Sequence, residues 1–327
     1  MVLNLQRLGS VTSELSSHLI RSIALPGELL RQLPRRRRSR RPGGPEESGL
    51  QAALPAGAIL WVGSDAIPDD AVVAALRRAG GRQELVAAIG AGEAGAAMAP
   101  AALRQFVRYG ARVAGEFPVR SRAEAGDPSW SERLRGARVA ILCAGDAREA
   151  RDLLLASPCQ AALREVLAAG GVVLGIGEGG TALGSQFLAL GPEGRPQLEE
   201  GLGLMPPLLL PAALSLRRCG PGQLLAALGI RLGREHLGLA VDAGAAVLLA
   251  EDEVRVLGEG AVIVLDGRDA LPGPVDSFRT PVEVPVAADD PPALDLRAHV
   301  LLAGYGLNLR SRRPLGPPRP PLQAAGD

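Results

Sequence analysis

From residue 56 onward the apolar residues fall into short unbroken runs, most of them ended by glycine and followed by a stretch with helical spacing. GAILWVG (57–63) predicts a strand, and DDAVVAALRRAGG (69–81) a helix stopped by a glycine pair. LVAAIG (85–90) predicts a second strand and PAALRQFVRYG (100–110) a second helix; ARVAGEFPV (111–119) is a third strand. WSERLRG (130–136) reads as a short helix opened by the turn pair Asp127–Pro128, and VAILCAG (139–145) as another buried strand. AREARDLLLASPCQAALREVLAAGG then carries helices into GGVVLGIGEGGTALG (170–184). There the apolar run stops at Gly175, and three more glycines follow within five residues before helix-compatible residues resume at Thr181. Strands alternating with helices predict an α/β fold, a mostly parallel sheet covered by helices on both faces. Ligands in such sheets bind at the carboxyl ends of the strands, the edge where Gly63, Gly145 and Gly175 are expected.

Beyond this alternation the pattern changes. LEEGLGLMPPLLL (198–210) opens with acids and holds two prolines, and GQLLAALGIRLG (222–233) predicts a helix. Residues 237–267 hold short strand-like runs separated by turns, an antiparallel C-terminal extension of the sheet. The Pro-rich segments 271–292 and 314–327 read as surface loop and disordered end. Upstream, Val11, Leu15, Leu19 and Ile23 recur every four residues, a short amphipathic helix, before the basic run LPRRRRSRRPGGPEESG. Three parts result: a basic, partly disordered extension (1–50), an α/β domain (51–313) and a tail (314–327).

Composition narrows the chemistry. Apolar residues make up 47% and aromatics 2%, so the core must be built from Ala, Val and Leu. All 36 cationic residues are arginine. The absence of lysine excludes a Walker-type phosphate lysine, a Schiff base and a lysine general base. Scarcity of Asn and Lys points to a GC-rich, bacterial genome. The three cysteines, Cys143, Cys159 and Cys219, and the three histidines, His18, His236 and His299, show no ligand spacing; neither a metal nor a cofactor is expected. With no long apolar span and no cleavable signal pattern, the expected location is the cytoplasm. The arginine-rich arm precedes a body in which acids outnumber arginines. It is either a solvated tail or a contact for anionic surfaces, lipid or nucleic acid. Scarce aromatics give base stacking little support.

Two chemistries use a strand–turn–helix such as 170–184. Gly175, Gly177 and Gly180 fit the G-x-G-x-x-G of a dinucleotide site, but the acidic partner ~20 residues on would fall in the polar stretch Arg195 to Glu200. Alternatively Gly175-Ile176-Gly177-Glu178-Gly179 is the frame of a G-x-S-x-G nucleophile elbow, with glycine at the nucleophile position.

The second frame carries a specific resemblance. ILCAGDAREARDLLLASPCQAALREVLAAGGVVLGIGEGGTALG resembles the core of cyanophycinases and related aspartyl dipeptidases, where a GGDQ turn, paired helices and a G-T-S-A-G-A elbow follow in this order. GAILWVGSDA resembles that family's first strand and GGGE turn, and GLGLMPPLLLPAALSL its GLGLLPG…DQHF segment. Residues 237–267 resemble the stretch holding I-D-E-N-T-A, and LRAHVLLAGYGLNL the closing segment, so the likeness runs colinearly over residues 55–312. It implies a three-layer fold of the class I glutamine amidotransferase (flavodoxin-like) type, serine peptidase activity on β-aspartyl peptides, and a homodimer or partner subunit.

The family's catalytic positions are degenerate here. Its nucleophile serine corresponds to Gly177, its histidine to Ala213, the glutamine of GGDQ to Ala147 and the glutamate of the first turn to Ala66. The aspartate of D-Q-H-F corresponds to Pro211. Asp146 and Asp242 are kept, Glu178 follows the vacated nucleophile, and Glu193, Glu199 and Glu200 lie in the loop expected to hold the remaining triad carboxylate. Nucleophile and base act as a unit, so their joint loss predicts a binding or partner protein without the acyl-enzyme route. A hydrolase acting through Cys143 or Glu178 is the alternative.

Overall fold

The structure, a computed structural model, describes residues 56–190, 196–211, 236–266, 268 and 297–317. The expected helix 222–233, Ala213, Glu193, Cys219 and the segments 1–50 and 271–292 lie outside the described residues.

Five strands build the parallel part of a nine-stranded sheet: β1 (Ala58–Val62), β2 (Leu85–Ala91), β3 (Arg112–Val119), β4 (Val139–Ala144) and β5 (Val172–Gly177). Their order is β1-β5-β4-β2-β3, with all four pairings parallel. Every residue of β1 and β4 is buried, as continuous apolar runs require when both faces are covered. The fold is the mostly parallel α/β arrangement that the alternation predicts.

The helices follow local signals. α1 (Asp69–Ala79) buries Ala71, Val72, Ala75, Leu76 and Ala79 along one stripe, starts with two aspartates and stops at Gly80, whose φ is 124°. α2 (Gly92–Arg108) begins eight residues earlier than its sequence pattern predicts, with Pro100 inside it. Tertiary packing explains the difference. A Cβ at Gly90 would press on the Ala96 backbone, and one at Gly95 on the Cys143 carbonyl, so the small-residue first half of α2 lies directly on β2 and β4. α3 (Arg122–Ala125) carries a Ser121–Glu124 capping box, and α4 (Pro128–Arg135) is capped by Asp127 with proline at its first position. α5 (Ala147–Leu154) is capped by Asp146, and α6 (Pro158–Ala168) by Ser157. α7 (Glu178–Ala182) follows β5 without a linker.

Past α7 come the antiparallel hairpin β6 (Gln186–Leu190) and β7 (Pro196–Glu200), then β8 (Leu209–Pro211). The C-terminal strands divide between two sheets. β10 (Ala245–Ala250) pairs antiparallel with β1, and β11 (Glu253–Gly258), β14 (Gly306–Asn308) and β15 (Arg313–Leu315) extend the main sheet outward. β9 (Leu237–Val241), β12 (Val262–Asp266) and β13 (Arg297–Leu301) join β8 in a separate four-stranded sheet. The single antiparallel extension read from sequence is therefore only half of the arrangement. Pro314 and Leu315, assigned from sequence to the tail, instead form the last strand of the main sheet.

One core cluster joins the face of the main sheet carrying Trp61, Ala144 and Phe117 to α5, α6 and the inner face of the small sheet. The other lies under α1 and α2 and includes Leu60, Cys143 and Ile176. At the β3 edge, Ala114 is an extra residue in the pairing with β2. The Arg133 guanidinium donates to the Ala114 carbonyl (2.8 Å) and lies 5.2 Å from the centre of the Phe117 ring.

Candidate functional site

The site forms at the carboxyl ends of β1, β4 and β5. The β5 strand runs through Gly175, which pairs with Trp61 and Leu142, and ends at Gly177. Gly175 is thus inside the strand, and Gly177 is the residue at the sheet edge. Gly177 has φ 55° and ψ −122°, a conformation that L side chains rarely adopt, and it turns the chain directly into α7. This sharp strand-to-helix turn is elbow geometry. A Cβ at position 177 would meet only Asp65 Oδ1 at 3.7 Å and the Ala144 carbonyl at 3.9 Å. The tip has room for a side chain but carries none.

The other glycines serve packing. A Cβ at Gly175 would collide with the Gly180 backbone, one at Gly179 with the Leu142 carbonyl, and one at Gly180 with the Trp61 indole. The G-x-G-x-x-G spacing is filled by protein, with Trp61 where a phosphate cradle would need open backbone.

Around the tip the sequence-predicted residues separate by role. Asp146 is exposed and caps α5, accepting from the Glu149 amide at 3.0 Å. Ala147 is the first residue of α5, buried in the core at 3% exposure. Ala66 is exposed, its carbonyl accepting from the Ser64 hydroxyl. Asp242 closes the turn between β9 and β10, its carboxylate accepting from the Ala243 amide at 2.9 Å. Glu178 is half-buried beside Asp146, and burial first, then the Asp146 charge, pushes its carboxyl up to about 7. Pro211 is buried at the end of β8 and borders Gly184.

Cys143, a candidate for substitute chemistry, and Glu199, a candidate for the triad carboxylate, are committed elsewhere. Cys143 is fully buried on the α1/α2 side of the sheet, and burial, then the charges of Asp65 and Glu116, pushes its thiol up to about 12. Such a thiol holds almost no thiolate at neutral pH. Glu199, on β7, accepts from Arg148 Nε at 2.7 Å and Arg151 Nη1 at 2.9 Å, clamping the hairpin to α5. Glu200 is exposed. His299 lies on β13, in the small sheet, where burial lowers its pKa. Among the described residues no cluster of three or more His, Cys, Asp or Glu is placed to hold a metal.

Sequence reasoning missed two features of the site. Asp65 was passed over in favour of its turn neighbour Ala66, yet its Oδ1 lies 3.7 Å from where a Cβ at Gly177 would sit. Trp61 read as one more buried strand residue. Its indole N–H donates to the Gly177 carbonyl at 3.2 Å.

No family model matches the sequence. The chain is similar to the cyanophycinase of Geminocystis herdmanii (strain PCC 6308), 27% identical over 219 residues that span 64% of this chain and 76% of that protein. Its backbone is similar to the crystal structure of a peptidase from an acI-B1 Actinobacterium, with a TM-score of 0.58, 18% identity, and coverage of 79% of this chain and 98% of the other. The fold is that of a cyanophycinase-like peptidase. Peptidase-like hydrolases are relatives of this fold. Among the described residues no helix is long and apolar enough to cross a membrane.

Proposed function

We propose that the chain is a cyanophycinase-like protein without peptidase activity that uses the former active-site edge to bind a ligand or partner. The observation carrying this reading is Gly177: the elbow keeps its strained backbone, its tip still has space, and no nucleophile occupies it. An acyl-enzyme needs an attacking atom and a base. The tip lacks the first, and the histidine position, Ala213, lacks the second. Ligands of the β-aspartyl peptide class are the first to test, and a homodimer or a related subunit in the cytoplasm is the proposed setting.

The purified chain is incubated with β-aspartyl-arginine polymer and with β-aspartyl dipeptides, and free amines are followed. The expected outcome is no release above buffer, with peptide binding visible by calorimetry. Turnover that survives a serine-reactive inhibitor would overturn the proposal.

One observation favours a second reading, a hydrolase using a carboxylate. Glu178, with its carboxyl near 7, is suited to proton transfer at neutral pH. Were turnover found, Glu178→Gln would abolish it under this reading and leave it intact otherwise.

A further inference from the structure

Between α2 and the marginal strand β3 lies a hollow of about 820 Å³. Its floor holds Leu103, Val107 and Val113, the last two 47% and 49% exposed. Because α2 packs on β2 and β4, the outermost strand keeps an uncovered shelf beside the helix. The two walls carry opposite charge: Arg104 and Arg108 on α2, Glu116 on β3, all three exposed. Among the described residues none of these three has an ion-pair partner, whereas Arg78, Arg120 and Arg135 each hold a carboxylate. The ladder of β3 is closed to another strand by the extra residue Ala114 and by Arg133 on its carbonyl, so whatever covers the shelf meets its face.

We propose that a second copy of this chain covers the shelf, the two copies being related by a two-fold axis running along the strands. The proposal rests on the homodimer named above as the setting and assigns the surface that forms it. The reason is self-complementarity. A partner of one charge sign would suit one wall and be repelled by the other, whereas a second copy presents both signs. A hollow between a helix and a strand accepts a ridge, and the molecule's own ridge is the outer row of α2. There Ala97, Ala101, Arg104 and Arg108 follow at helical spacing, all exposed, with two small residues that permit close approach. A two-fold axis along the strands preserves height, so α2 of each copy comes to rest over the β3 shelf of the other at the level it occupies beside its own. Arg104 and Arg108 then stand over Glu116 of the other copy, twice by symmetry. Val107 and Val113 leave water in both copies, which supplies the drive. The ion pairs at the rim add little strength; they set the register and penalise wrong pairings.

The test reverses the charges. Dimerisation of the full chain is measured by sedimentation equilibrium, alongside Glu116→Arg and the double variant Arg104→Glu with Arg108→Glu. The parent is expected to dimerise, and each variant to dimerise at least about 10-fold more weakly, because like charges then face each other across the shelf. Mixing the two variants should restore association to near the parental level, since every pairing in the mixed dimer is again between opposite charges. A parent that stays monomeric, a dimer indifferent to either reversal, or a mixture that does not recover overturns the proposal. If a reversal disturbs folding, the parent alone decides: hydroxyl-radical labelling of Val107 and Val113 should fall several-fold between dilute and concentrated protein, and equal labelling overturns it. None of these measurements uses a peptide. Turnover of β-aspartyl peptides would defeat the proposed loss of activity and leave this interface standing, and a failed interface would leave the loss of activity standing.

Discussion

Glycines that look equivalent in the sequence are not equivalent in the fold. Gly177→Ser should fold, because its Cβ meets nothing closer than 3.7 Å, at a cost of roughly 1–2 kcal/mol for a side chain at positive φ. Under the proposed function it should release no product from β-aspartyl dipeptides, since the added hydroxyl has no base at Ala213. Gly180→Ala adds a smaller group but drives it into Trp61, and should cost more than Gly177→Ser, on the order of 3 kcal/mol, or fail to fold. Thermal denaturation of the two variants checks the ranking. Glu178 makes a second prediction. Its folded pKa of about 7 lies above the usual 4.5, so the native state holds a proton that the unfolded state releases between those values. Stability should therefore fall as pH rises from about 4.5 to 7 and level off above. Glu178→Gln should flatten that slope, gaining on the order of 2 kcal/mol at pH 8 relative to pH 4.5 in urea titrations. At this scale the strand–turn–helix at Gly177 was legible, since it depends on a short local frame. The hydrogen bond from Trp61 to Gly177 was not, because its partners lie 116 residues apart in sequence.

Among the elements, helix ends written in local capping residues were read correctly, as with Asp127–Pro128 before α4 and Gly80 after α1. The start of α2 was not, because Pro100 is a strong local signal and the packing of Gly95 and Ala96 on the sheet is not local. Asp146 caps α5. Asp146→Ala should cost about 1 kcal/mol and Asp146→Asn a few tenths, measured by urea unfolding. A larger loss of ligand affinity in Asp146→Asn than its stability change explains would assign the carboxylate a binding role as well. The strand runs 237–241 and 245–250 illustrate a different limit. Both are fully or mostly buried apolar runs, so their composition does not state that one joins β12 and the other β1.

Across the whole described fold, the two sheets are tied by a buried charge. Asp266, 2% exposed on β12, accepts from Arg312 Nη1 in the turn between β14 and β15 and from the Arg268 amide. Arg312→Ala would leave that carboxylate buried without its nearest guanidinium and should cost about 3–5 kcal/mol, seen as a lowered unfolding midpoint. Asp266→Asn should cost less, because it removes the charge along with the pair.

The margins of the nine-stranded sheet determine how the protein behaves in a crowd. On one side the extra residue Ala114 interrupts the ladder, Pro118 supplies no amide hydrogen, and Arg133 occupies the Ala114 carbonyl. On the other, β15 is three residues long with a proline at its centre. Both margins are blunted in the ways that discourage another strand from zipping on. Self-association of the protein should therefore leave the hydrogen-bonding ladder of this sheet unextended.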